Sequence, residues 1–236
     1  MSEWWTYRPS SFLLFSARTY YRLFELYNAE IWPWQAVALL MGLAILALLR
    51  KPGAWQGRTI SALLAASWLW VAWAYLYSRY ASINWVATYF AAAFALEALL
   101  LIVLGVAHGL AWRPPATWIS RAGIGLATFA VALQPLIGPL VGRSWSQVEV
   151  FAVAPDPTVV GTLGVLVLAS GWPKWLLLPI PILWCLVSGA TAWVMQSPDA
   201  ALMPAAAALV IVAGGGSVLS RMAPPARDAS GTPALD

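Results

Sequence analysis

Glu97 is the carboxylate of this chain with the strongest claim to chemistry, because it sits near the middle of a long apolar stretch, residues 84–110. At that depth in a bilayer a charged side chain costs at least ~2.5–3.5 kcal/mol, so Glu97 is expected to face protein or water rather than lipid. No other carboxylate and no arginine lies at the same depth, which leaves it without an obvious ion-pair partner in the chain. Gln134, midway along the stretch 122–141, is the expected hydrogen-bond partner. His108 follows Glu97 by eleven residues. Eleven helical steps of about 100° return to within roughly 20° of the same face, some ~16 Å further along the axis. A proton or cation path from Glu97 to His108 can be drawn on that face. The plainer reading is that Glu97 ties two helices together while His108 lies at the membrane interface.

The remaining chemistry is sparse. One histidine and one cysteine, Cys185, exclude bis-histidine haem, a multi-histidine metal site and an internal disulfide within one chain. There is no H-E-x-x-H, G-x-S-x-G, phosphate-loop or dinucleotide fingerprint. No catalytic residue, metal site or cofactor is therefore expected, and an enzymatic role has no support in the sequence.

The elements that must position Glu97 are membrane helices. Of the 236 residues, 61% are hydrophobic and 9% charged, where a soluble domain carries about 45–50% and about 25%. Seven apolar stretches recur, at 31–49, 59–77, 84–110, 122–141, 158–172, 175–195 and 200–219. A span needs about 20 mainly apolar residues. The fifth is short, so a six-span version in which it does not cross is the alternative.

Basic residues fall on alternate sides. Arg50, Lys51, Arg58, Arg113, Arg121, Lys174, Arg221 and Arg227 follow odd-numbered stretches, whereas the loops between hold only Arg79 and Arg143 beside Glu149, Asp156 and Asp199. The side rich in arginine and lysine is expected to be cytoplasmic, which places the N-terminus outside and the C-terminus inside. The 13 basic residues form no stripe or cluster, so no nucleic-acid partner is expected.

Residues 1–30 mix Phe12, Leu13, Leu14, Phe15, Tyr20, Tyr21 and Phe24 with Arg8, Arg18, Arg22 and three glutamates. This reads as an interfacial segment, its aromatics in the acyl boundary, with a lid or docking role as the alternative. Residues 31–220 form a single transmembrane domain, and 221–236, rich in Pro, Ala and small polar residues, a disordered tail. Many of the 16 tryptophans flank the apolar stretches, as indoles at headgroup level do. Trp68, Trp70 and Trp73 lie inside the second stretch, where ring packing between helices is the ordinary use and a binding surface the other. Pro179 and Pro181 are expected to bend the sixth span. Asp156, between Pro155 and Pro157, reads as a capping residue on a stiff loop, with a ligand role as the alternative.

Three motifs carry a resemblance: Trp5-Thr6-Tyr7-Arg8-Pro9 with Phe12-Leu13-Leu14-Phe15-Ser16, Ala154-Pro155-Asp156-Pro157-Thr158, and Trp184-Cys185-Leu186-Val187-Ser188-Gly189-Ala190-Thr191. On these the chain resembles an uncharacterised family, domain of unknown function 6064. The resemblance implies a multi-pass bacterial membrane protein and lends no activity or catalytic residue.

The expected fold is all-α, a polytopic transmembrane bundle preceded by an interfacial helix, in the bacterial inner membrane. The expected function is permease-like movement of a small solute or ion through a site at Glu97, Gln134 and His108. The rival is a non-catalytic accessory subunit of another membrane complex. The expected partners are the lipid bilayer and either a second copy or another membrane protein. The orientation predicts that Ser78→Cys and Ser144→Cys react with a membrane-impermeant maleimide in intact cells, and Gly53→Cys and Arg113→Cys only after permeabilisation. Lys174→Cys is protected if the fifth stretch crosses and labelled if it does not.

Overall fold

The computed structural model describes residues 15–50, 53–111 and 118–222. The expected tail lies outside the described residues from 223 on, as does the segment 1–14. All regular elements among the described residues are helical. In chain order the α-helices are α1 (Ala17–Glu30), α2 (Trp34–Leu48), α3 (Ala54–Trp70), α4 (Ala87–Leu100), α5 (Trp118–Thr128), α6 (Gln134–Leu140), α7 (Pro155–Leu168), the single turn α8 (Lys174–Leu177), α9 (Pro179–Val194) and α10 (Leu202–Met222), with short 3-10 turns at Tyr80–Ser82 and Trp145–Gln147. Three π-helical stretches, Val71–Tyr77, Leu101–Ala107 and Phe129–Leu133, continue α3, continue α4 and join α5 to α6.

Four helical rods are long and apolar enough to cross a membrane: Ala54–Ser82, Ala87–Ala107, Trp118–Leu140 and Lys174–Val194. The pair α1 and α2 passes the same criterion together but turns by 93° between its halves. The remaining expected stretches correspond to the shorter apolar helices Pro155–Leu168 and Leu202–Ala213. Pro179 and Pro181 open α9 directly after a break at Leu178 within the rod Lys174–Val194.

The short fifth stretch is the most enclosed element. Of the 14 residues of α7, only Asp156 and Val167 are not buried. Its packing partners are α5 above all, then α10, α9, the π stretch Phe129–Leu133 and α3. A helix that is apolar all round belongs in an interior, and one walled in by protein need not match the thickness of a bilayer. Glycines allow this enclosure. A Cβ on Gly164 would lie 2.5 Å from the Ala127 backbone nitrogen, and one on Gly123 would lie 2.7 Å from the Gly164 carbonyl oxygen, so α5 and α7 meet backbone to backbone. The threonines are satisfied within this packing: Thr158 Oγ1 donates to Ala154 O and accepts from Ala152 N, and Thr162 Oγ1 donates to Thr158 O.

α1 lies across one end of the bundle. Ser16 caps it, accepting from Thr19 N at 3.2 Å. Tyr20, Phe24 and Tyr27 recur at helical spacing and are buried. These rings face the bundle, not the acyl boundary expected for Tyr20 and Phe24: Phe24 stacks on Tyr75 at 4.7 Å, and Tyr27 Oη donates to Val153 O.

Adding a methyl where α5 and α7 touch should be costly. Gly164→Ala is expected to destabilise by about 1–3 kcal/mol through overpacking. Gly125→Ala is the control, because its Cβ would meet nothing within 4 Å. It is expected to be neutral or to stabilise by up to about 1 kcal/mol from helix propensity. Thermal midpoints of the two purified variants against wild type decide.

Candidate functional site

The loops gather at two ends. At one, Asn28 Nδ2 donates to Ser146 O and Val148 O, Tyr21 Oη bonds Ser197 Oγ at 2.9 Å, and Arg79 pairs with Glu30. At the other, Ser170 N and Oγ both donate to Ala111 O. The first end carries the acidic loops and the second the loops rich in arginine and lysine.

Arg143 organises the acidic end. Its guanidinium pairs with Asp199, lies 3.6 Å from Glu149 and sits 4.8 Å from the centre of the Tyr21 ring. Gly138, one turn after Gln134 in α6, leaves it room: a Cβ there would lie 3.3 Å from Arg143 Nε. Asp156, expected to cap α7, makes no such bond, because Ala154 is the N-cap. Its carboxylate instead accepts from Trp184 Nε1 at 2.8 Å and Ser188 Oγ at 2.7 Å, two side chains one turn apart on α9.

These groups line a cavity of about 40 Å³. That is room for a few water-sized occupants at roughly 10–15 Å³ each. Three carboxyls, Glu149, Asp156 and Asp199, and the Arg143 guanidinium are among its lining. Asp156 and Asp199 each accept close hydrogen bonds, whereas among the described residues Glu149 has only the longer contact with Arg143. Burial, reinforced by Asp156, pushes the Glu149 carboxyl up to about 8, against the opposing pull of Arg143. The cavity can therefore take up a proton near neutral pH.

The three residues singled out in the sequence are not brought together. Glu97 is fully buried (0% exposed), and neither of its oxygens has a hydrogen-bond partner among the described residues. Gln134 is buried too (7% exposed), but its Oε1 also has no partner among the described residues, so the expected bond to Glu97 is not made. Gln134 faces the acidic cavity instead. The π stretch that ends just before it sets it inward, with Leu133 exposed beside it. His108 is exposed. The intervening Leu101–Ala107 is wound as a π helix, so the 3.6-residue periodicity that would return His108 over Glu97 does not apply.

The aromatics of the second stretch divide. Trp68 is fully buried, donates to Thr162 Oγ1 at 2.9 Å and packs on Phe94 at 4.3 Å. Trp70 Nε1 donates to Tyr27 Oη, while Trp73 is 67% exposed and stacked on Tyr77. Phe94, one turn before Glu97, is held between Trp68 and Trp184. In the sequence Arg143, Glu149 and Asp199 stand only as topology markers. Their concentration in the loops of one side was the available signal, but nothing along the chain states which loops touch.

The profile of a family of unknown function, DUF6064, matches residues 17–219, and the chain belongs to that family. No curated protein matches the chain. No solved structure matches it either.

The Glu149 carboxyl binds its proton more tightly folded than unfolded. Its contribution to stability is complete below the ordinary carboxylate range and is lost as pH rises towards and through about 8. Thermal midpoints are therefore expected to fall between pH 5 and pH 9, and Glu149→Gln is expected to flatten that fall. An unchanged slope in the variant would assign the pH dependence elsewhere.

Proposed function

Because the family to which the chain belongs has no assigned activity, we propose from the geometry that this is a multi-pass protein of the bacterial inner membrane that moves protons or a small inorganic ion. The observation that carries the reading is Glu97, a completely buried carboxyl with neither oxygen hydrogen-bonded among the described residues, inside an apolar helix. An ionisable residue at such a place marks an ion or proton pathway by default.

Two further features support it. A π-helical stretch begins four residues after Glu97, and such stretches are frequent at functional sites. Buried polar atoms without partners among the described residues also recur along the bundle: Ser61 Oγ against Gly105 towards the basic end, Glu97 in the middle, Gln134 Oε1 at the acidic end. Glu97 is the coupling group in this reading, the acidic cavity lies on the outer side, and His108 lies near the cytoplasmic end.

The topology proposed with it has seven spans, the N-terminus outside and the C-terminus in the cytoplasm. α2, α7 and α10 complete the four long rods, and α7 crosses within a shell of protein. Exposed tryptophans at both ends, Trp32, Trp85, Trp145 and Trp193 at one and Trp55, Trp118, Trp172 and Trp175 at the other, suit the two headgroup levels.

The test is reconstitution into liposomes with an enclosed pH dye and an imposed potential. Wild type is expected to carry a proton flux that Glu97→Gln lowers by roughly 10²-fold, the scale of losing a positioned proton carrier. Equal flux in a folded Glu97→Gln variant would remove Glu97 from the path. A wild type that is silent to protons and to alkali and halide ions would remove transport.

A further inference from the structure

The cavity at the acidic end is built from acceptors. Gln134 Oε1, on a side chain more than nine-tenths buried, points into it with no partner among the described residues. Ser188 and Thr191 also line it; their O–H groups are committed, to Asp156 Oδ2 and to Val187 O, so their oxygens still have lone pairs to offer. Glu149 adds a carboxylate whose one ion-pair contact, to Arg143, is 3.6 Å long.

The charges do not balance. Among the described residues Arg143 is the one cationic side chain in the lining, against Glu149, Asp156 and Asp199, and Tyr20 and Tyr21 of α1 add only neutral phenols. With all three carboxyls ionised, as at pH above about 8, two formal negative charges are left over. Such a site draws in positive charge. We propose that this cavity binds one small monovalent alkali cation, held by Gln134 Oε1, Glu149 and the hydroxyl oxygens of Ser188 and Thr191.

Size and ligand type narrow the occupant. About 40 Å³ admits a bare alkali ion with a water or two but no organic cation. The donors are all oxygen, which suits hard cations. Among the described residues no three His, Cys, Asp or Glu side chains converge as a metal-binding group, which argues against a divalent ion needing several carboxylates. Arg143 Nε, also without a partner among the described residues, faces the same space, and a water carried by the cation can accept from it. Glu149 is where cation and proton compete, so binding strengthens as pH rises. The site stands apart from the transport reading, because a protein that moves nothing can still bind the ion.

The experiment titrates the thermal midpoint of the full-length protein, purified in detergent in N-methylglucamine chloride, with NaCl or KCl at constant ionic strength. A saturable rise of at least about 3 °C is expected at pH 9 with one of the alkali salts. The rise should shrink at pH 6, disappear in Glu149→Gln and Gln134→Met, and persist in Glu30→Gln, whose carboxylate pairs with Arg79 outside the cavity. Identical midpoints in all three salts overturn the proposal, as does an alkali response that survives unchanged in both cavity variants. If neither variant folds, the wild type decides alone: an alkali response that is absent with N-methylglucamine and weakened by acid supports the site, and any other pattern overturns it.

Discussion

The architecture depends on burying one short apolar helix on every side. α7 leaves only Asp156 and Val167 short of full burial, so each neighbouring helix must present it a closely fitting face. Close approach needs small residues, and Gly123, Gly161 and Gly164 supply them where α5 and Phe151 press in. A methyl at these points has nowhere to go, because a packed interior offers few voids to absorb it. Protein surrounds α7 on nearly every side.

The same helix anchors an aromatic cluster on α3, α4 and α9. Thr162 accepts from Trp68, and Asp156 accepts from Trp184. The two indoles in turn hold Phe94, one turn from Glu97 on α4, at 4.3 and 4.9 Å. Hydrogen bonds to buried indoles satisfy the one polar atom of an otherwise apolar ring. Phe94 is thus positioned from α7 through two indoles.

At the acidic end the geometry comes from α1 folding over the bundle. Its buried aromatic face brings Tyr21 to Arg143 and Ser197, and Arg143 then spans from the loop after α6 to Asp199 before α10. α1, α6 with the loop after it, α7, α9 and the start of α10 all contribute to the cavity, and one arginine tied to two carboxylates holds the loops together. Buried charge of this kind is tolerable only when paired. The excess of carboxyls over that pairing makes the place sensitive to protons.

Much was legible in the chain alone: helical class, the apolar stretches, the two-sided distribution of arginine and lysine, and the burial of Glu97. All of these follow from the solvent preference of residues at known positions along one chain, which composition and periodicity report directly. The tertiary structure decided that the weakest stretch is the central one, that Gln134 turns to the acidic cavity and not to Glu97, that Asp156 reaches across to α9, and that π-helical winding removes the Glu97–His108 register. Each of these depends on which helices touch and on how a helix winds locally. Both are settled by packing between segments far apart in sequence, where side-chain volume and backbone approach override the regular 3.6-residue period.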